Sequence, residues 1–101
     1  MIGYRYHPEA RAEYLAALTW YRGRAPEAAR GLAAAVEDGL RTVRAKPLAW
    51  PTWRGGPVRR RILPRVPYSL FFVVHDDAVI VLAVAHHRRR PGYWAERIAA
   101  P

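Results

Sequence analysis

His86 and His87 stand directly before Arg88, Arg89 and Arg90, and Tyr93 follows shortly after. Histidine titrates near neutrality and serves as acid or base. Arginine clamps a phosphate through paired hydrogen bonds and keeps its charge. Tyrosine supplies a hydroxyl, or a ring on which a base stacks. Metal-free RNA cleavage needs a base for the 2′-hydroxyl, an acid for the leaving 5′-oxygen, and cations for the charge that develops between them. All three kinds of group are present in this stretch. A second basic group lies upstream, at Arg59, Arg60, Arg61 and Arg65. In a strand Arg59 and Arg61 share one face and Arg60 takes the other, so the three cannot all serve one site.

Each of these residues has a plainer role to set beside the chemical one. His86 also reads as a structural histidine ending a strand and bonded to backbone, and His87 as a solvated one. Arg88 to Arg90 also suit a wet turn or a surface for an acidic protein. Tyr93 and Trp94 suit packing, and Trp50 and Trp53 suit pinning a loop to the core. Arg11, Arg22, Arg30 and Arg41 fit the wet faces of helices, and His7 and His75 fit a cap and a turn. Four histidines far apart, with no cysteine, give no metal-ligand spacing, so neither a metal nor another cofactor is expected.

The charge balance points to an anionic partner. The chain of 101 residues carries 17 basic and 8 acidic side chains, a net charge of +9, and every basic one but Lys46 is arginine. No carboxylate lies between Asp38 and Asp76, while Arg41, Arg44, Lys46, Arg54, Arg59, Arg60, Arg61 and Arg65 do. A segment of one sign repels itself unless something anionic neutralises it. The length predicts one domain over residues 1–101, and the 51% hydrophobic content excludes a disordered chain. The absence of cysteine fits a cytoplasmic location, and MIGYRYHPEARAEY lacks the apolar stretch of a signal peptide. No apolar run is long enough for a spanning helix, so no membrane is expected.

The elements that position these residues follow from periodicity. Ile2 to Tyr6 predicts a short first strand. Pro8 opens a helix whose inner face is Ala10, Tyr14, Ala17, Leu18 and Tyr21, and Gly23 punctuates it. Pro26 opens a second, with Ala29, Leu32, Val36, Leu40 and Val43 inward, and Pro47 stops it. The stretch from Pro47 to Pro57 is loop by composition. Three strands follow: Val58 to Leu63, Tyr68 to His75, and Val79 to His87, the last two joined by a tight turn at Asp76-Asp77. Their near-continuous apolar runs predict strands that are central or covered on both faces. Pro91 to Ala99 predicts a final helical turn carrying Trp94. The expected fold is α+β: a small antiparallel-rich sheet of about four strands with an N-terminal helical hairpin on one face.

Several pieces, in order, resemble the RelE/ParE family of toxins, often labelled plasmid stabilisation proteins. They are HPEARAEYLAALTWY, the Pro-opened second helix, VRRRILPRVPYSLFFVV and VIVLAVAHHRRRPGYW, spanning Tyr4 to Trp94. The resemblance implies a small twisted sheet with a helical hairpin. It also implies the toxin half of a type II toxin–antitoxin pair, neutralised by an antitoxin encoded next door. Members divide into those that cleave messenger RNA on the ribosome and those that inhibit DNA gyrase without nuclease action, and fold does not choose between them.

The leading expectation is translation-associated RNA cleavage by a metal-independent endonuclease. His86 is its acid–base candidate, with Arg61, Arg65 and Tyr93 in the catalytic group and Arg59, Arg88 and Arg89 on phosphate. The alternatives are a non-enzymatic inhibitor of gyrase, or a degenerate relative that only binds an antitoxin. Against cleavage, ribosome-dependent members tend to carry lysines in the basic strand region, whereas here the only lysine ends a helix. No carboxylate lies in the second or fourth strand to act as base.

Overall fold

A computed structural model describes residues 1–99. Strand β1 (Gly3–Tyr6) leads into helices α1 (Pro8–Arg22) and α2 (Pro26–Ala45), then β2 (Arg59–Ile62), β3 (Tyr68–His75) and β4 (Ala78–His86). Two short 3₁₀ turns, Pro47–Ala49 and Ala95–Ile98, complete the order. The sheet runs β1-β4-β3-β2, with β1 parallel to β4 and the other pairs antiparallel. This is the expected α+β arrangement, with one parallel pair at its edge.

Local chemistry accounts for the element ends. Pro8 and Pro26 each occupy the first turn of a helix, where a missing N–H is harmless. Nδ1 of the buried His7 accepts the Glu9 N–H at 3.1 Å and caps α1. Asp76 and Asp77 both have positive φ, 49° and 59°, the backbone of a two-residue hairpin between His75 and Ala78.

The helical hairpin covers one sheet face. Leu18 from α1 and Leu32, Val36, Leu40 and Val43 from α2 pack against Leu70, Phe72, Val79, Val81 and Val84. Gly39 lets α2 approach closely, because a Cβ there would collide with the Leu63 side chain. The second face is covered too. Trp94, 1% exposed, packs with Val58, Phe71, Ile80, Leu82 and Ala85, and the loop residue Trp53 joins them. Strand β4 is therefore buried on both faces from Val79 to Ala85. Phe71 pairs with Ala83 and Phe72 with Val81, which leaves Leu82 as the extra residue of a β-bulge. The bulge turns Leu82 and Ala83 to the same side and shifts the alternation of everything after them.

Leu40 tests the helical register. It is 6% exposed and sits in the first cluster. Leu40→Ala should cost about 2–5 kcal/mol, read as a lower urea midpoint; an unchanged midpoint would mean that α2 presents another face.

Candidate functional site

The C-terminal end of β4 feeds the Arg-rich turn, and both lie beside the second face of the sheet. A cavity of about 230 Å³ opens there, lined by Arg60, His86, His87, Arg89, Arg90, Tyr93 and the tryptophans Trp53 and Trp94. Four segments supply it. Arg60 comes from β2, opposite Phe71, and so faces away from the helices. The histidines come from the end of β4, Arg89, Arg90, Tyr93 and Trp94 from the segment that follows, and Trp53 reaches in from the loop ahead of β2. Gly92 makes the turn possible: its φ is +78°, and a Cβ would press on the Trp53 ring at 3.2 Å.

Both histidines are held. His86 lies opposite Tyr68, their rings edge-on with centroids 5.0 Å apart. Its Nδ1 accepts the Arg88 N–H at 3.0 Å. His87 Nε2 lies 2.9 Å from the hydroxyl of the buried Ser69, and its backbone N–H donates to the Pro67 carbonyl. Burial, then the positive charge of Arg88, then His87, pushes the His86 pKa below its ordinary 6.5. The unfolded chain therefore binds the proton more tightly than the folded one. Stability from this group is present above pH ~6.5 and is lost as the pH falls further. Urea midpoints should drop on acidification below that point, with a shallower slope in His86→Gln; identical slopes would mean that another group is responsible.

Of the residues expected in catalysis or on phosphate, the cavity brings together His86, Arg89 and Tyr93. Arg88 lies on the same turn, exposed, and does not line it. Arg59, Arg61 and Arg65 are elsewhere. Arg59 pairs with Phe72 and Arg61 with Leu70, which turns both toward the helices. Arg59 donates from Nη1 to the Trp50 carbonyl at 2.6 Å. Arg61 lies over the Trp50 ring at 4.4 Å and donates to the Ile62 carbonyl at 2.7 Å. Arg65, at a positive φ of 70°, borders a groove beside α2 together with Arg61, Gly39 and Thr42. Arg60 and Arg90 are the cavity arginines that the candidate set omitted. The strand period separates Arg60 from its neighbours but does not say which face carries a cavity.

Tyr93 has a committed hydroxyl. It donates to Glu13 Oε2 at 2.9 Å, and burial followed by the Glu13 charge raises its pKa strongly. Arg97 makes a forked bond to the same carboxylate, at 2.9 and 3.2 Å, and also donates to the Leu82 carbonyl at 2.9 Å. Glu13 accepts the Val84 N–H at 3.1 Å. Strand β1 stops pairing at Val81, so β4 has an open edge beyond it. Glu13 and Arg97 satisfy the backbone groups of that edge and tie the C-terminal turn to α1. Nothing in the sequence marks this pair, which lies 84 residues apart.

Among the described residues there is no cluster of three or more His, Asp or Glu side chains able to hold a metal ion. Among them, too, no helix is long and apolar enough to cross a membrane.

The fold is a four-stranded mixed sheet with a helical hairpin on one face and a basic turn after β4. A chain described as "Chromosomal ParDE TA system from P. aeruginosa" has the same fold, with a TM-score of 0.72 and 19% identity over 85% of this chain and 96% of that one. The chain belongs to the ParE toxin family, described as the ParE toxin of type II toxin–antitoxin system, parDE, whose pattern matches residues 4–91. None of the curated proteins compared with it matches.

Proposed function

We propose that this protein is the toxin of a type II toxin–antitoxin pair and that it acts by binding, not by cleaving a bond. Its target is DNA gyrase, as its family membership suggests, and its partner is an antitoxin from the adjacent gene. The observation that carries this is how the polar groups are used. A general acid or base must reach the proton it moves. His86 Nδ1 accepts a backbone N–H, so the neutral ring carries its proton on Nε2 and offers no base; His87 Nε2 is bonded to Ser69, and the Tyr93 hydroxyl is bonded to Glu13. Arg59, Arg61 and Arg65, expected on phosphate or in the catalytic group, belong to the helical face. Binding needs complementarity of shape and charge and no proton transfer. The net charge of +9 also suits an acidic antitoxin segment.

Induction of the chain alone, followed by mapping of both DNA breakage and messenger 5′ ends, separates the readings. The expected result is growth arrest, loss of supercoiling by purified gyrase and unchanged 5′ ends, all relieved by co-expression of the neighbouring gene. His86→Ala should leave toxicity nearly intact. New messenger ends that vanish in His86→Ala, with cleavage slowed about 10²–10⁴-fold, would return RNA cleavage to first place. No arrest at all would favour the degenerate relative.

A further inference from the structure

The cavity on the second face is built to hold an anion, and its walls say more than its charge. Arg60, Arg89 and Arg90 line it together with two histidines, and no carboxylate does. Among the described residues none of these three arginines has an ion-pair partner. On the helices, by contrast, Arg30 is paired with Glu27 and Arg41 with Asp38. Three exposed cations around one space raise the local positive potential, which favours an anion between them. Arg89 lies over the Tyr93 ring, 3.8 Å from its centroid, and Tyr93 is fixed in turn by Glu13. Stacking holds a guanidinium in place and leaves its N–H edge free to donate, which is how arginine meets phosphate. Trp53 forms the other aromatic wall, locked edge-on against Phe71 at 6.0 Å and Trp94 at 4.9 Å.

We propose that this cavity receives one unpaired nucleotide of a DNA strand, its phosphate held by Arg60, Arg89 and Arg90 and its base against the Trp53 wall. The size supports a single nucleotide. A concave space of about 230 Å³ is on the scale of one nucleotide. Aromatic walls serve any base, because every base has a π face, so the site reads an unpaired strand more than a sequence. The inference rests on the gyrase-binding reading, in which the strand is the one that gyrase holds. The toxin would then grip the enzyme and its DNA together, with no bond broken.

The test is the fluorescence anisotropy of a labelled single-stranded DNA oligonucleotide titrated with the full chain at physiological salt. Arg60→Ala and Arg89→Ala should each weaken binding at least about tenfold. Each should also lower the salt slope by about one, a readout that a fold defect would not produce. Trp53→Ala should weaken binding with the salt slope unchanged. Arg30→Ala and Arg41→Ala remove the same charge from the helical face and should change affinity by about twofold or less. Equal weakening by the helical and cavity variants would overturn the proposal in favour of diffuse attraction. Duplex DNA binding as tightly as the single strand, or an RNA oligonucleotide being cleaved, would overturn it as well. Gyrase inhibition without oligonucleotide binding would sink the cavity assignment and leave the gyrase reading standing. Oligonucleotide binding lost in Arg60→Ala, with gyrase unaffected, would sink the gyrase reading and keep the site.

Discussion

Trp94→Ala should be the most damaging single truncation in the C-terminal half of the chain. Its ring is the largest fully buried side chain, with centroids 4.7 Å from Phe71 and 4.9 Å from Trp53. It fills the second face of the sheet, where no helix lies. Without it Ile80, Leu82 and Ala85 would be left with only the loop tryptophan and the last 3₁₀ turn to cover them. Truncating a buried Trp costs about 3–5 kcal/mol through lost transfer energy and the cavity left behind. For a domain of this size that is a fall in Tm of more than ~10 °C. Trp94→Phe should recover a good part of it, since an aromatic of nearly the right shape still meets Phe71. A Tm within a degree or two of the parent would show that the second face is not a core. Trp53 would then lose its support against Gly92, and the cavity its outer wall.

What was legible in the sequence, and what was not, follows from the range of the forces concerned. The helices were readable because Leu32, Val36, Leu40 and Val43 repeat at helical spacing behind a proline, and each of those facts is local. The hairpin was readable from two adjacent aspartates between apolar runs. The bulge at Leu82 was not. In a run as uniformly apolar as VIVLAVA no polar residue reports which side is which, so a slip in alternation leaves no trace. The candidate site suffered for a related reason. That Arg60 opposes Arg59 and Arg61 could be seen, but only the packing of α2 against Leu70 and Phe72 decides which of them meets a helix. Arg59 and Arg61 spend their donors on the Trp50 and Ile62 carbonyls, leaving the second face to Arg60. Tyr93 could be placed beside the basic turn, but not the carboxylate that takes its hydroxyl, because that partner comes from the first helix.

Glu13→Ala should be nearly as destabilising as loss of Trp94, although Glu13 is an ordinary-looking residue of an amphipathic helix. Its side chain is 17% exposed and that of Arg97 11%. The carboxylate accepts from the Val84 N–H, the Tyr93 hydroxyl and both Arg97 nitrogens. Removing it leaves a largely buried guanidinium without its counter-charge and an edge N–H of β4 without an acceptor. Breaking a buried pair from one side costs about 3–5 kcal/mol, mostly from the charge left behind; water reaching Arg97 puts the expected loss near the lower end. Glu9 supplies the control on the same helix. It approaches Arg97 at 3.8 Å, but its side chain is 69% exposed, so Glu9→Ala should cost less than about 1 kcal/mol. Arg97→Met separates the two parts of the effect. Without the cation, Glu13 keeps its bonds to Val84 and Tyr93, and a double variant with Glu13→Gln removes both charges. The double variant should be more stable than Glu13→Ala alone, because no buried charge is stranded. If the two single losses simply add, Glu13 and Arg97 do not act as a pair. The strap over the edge of β4 would then be held by the packing of Trp94 and Ile98 alone.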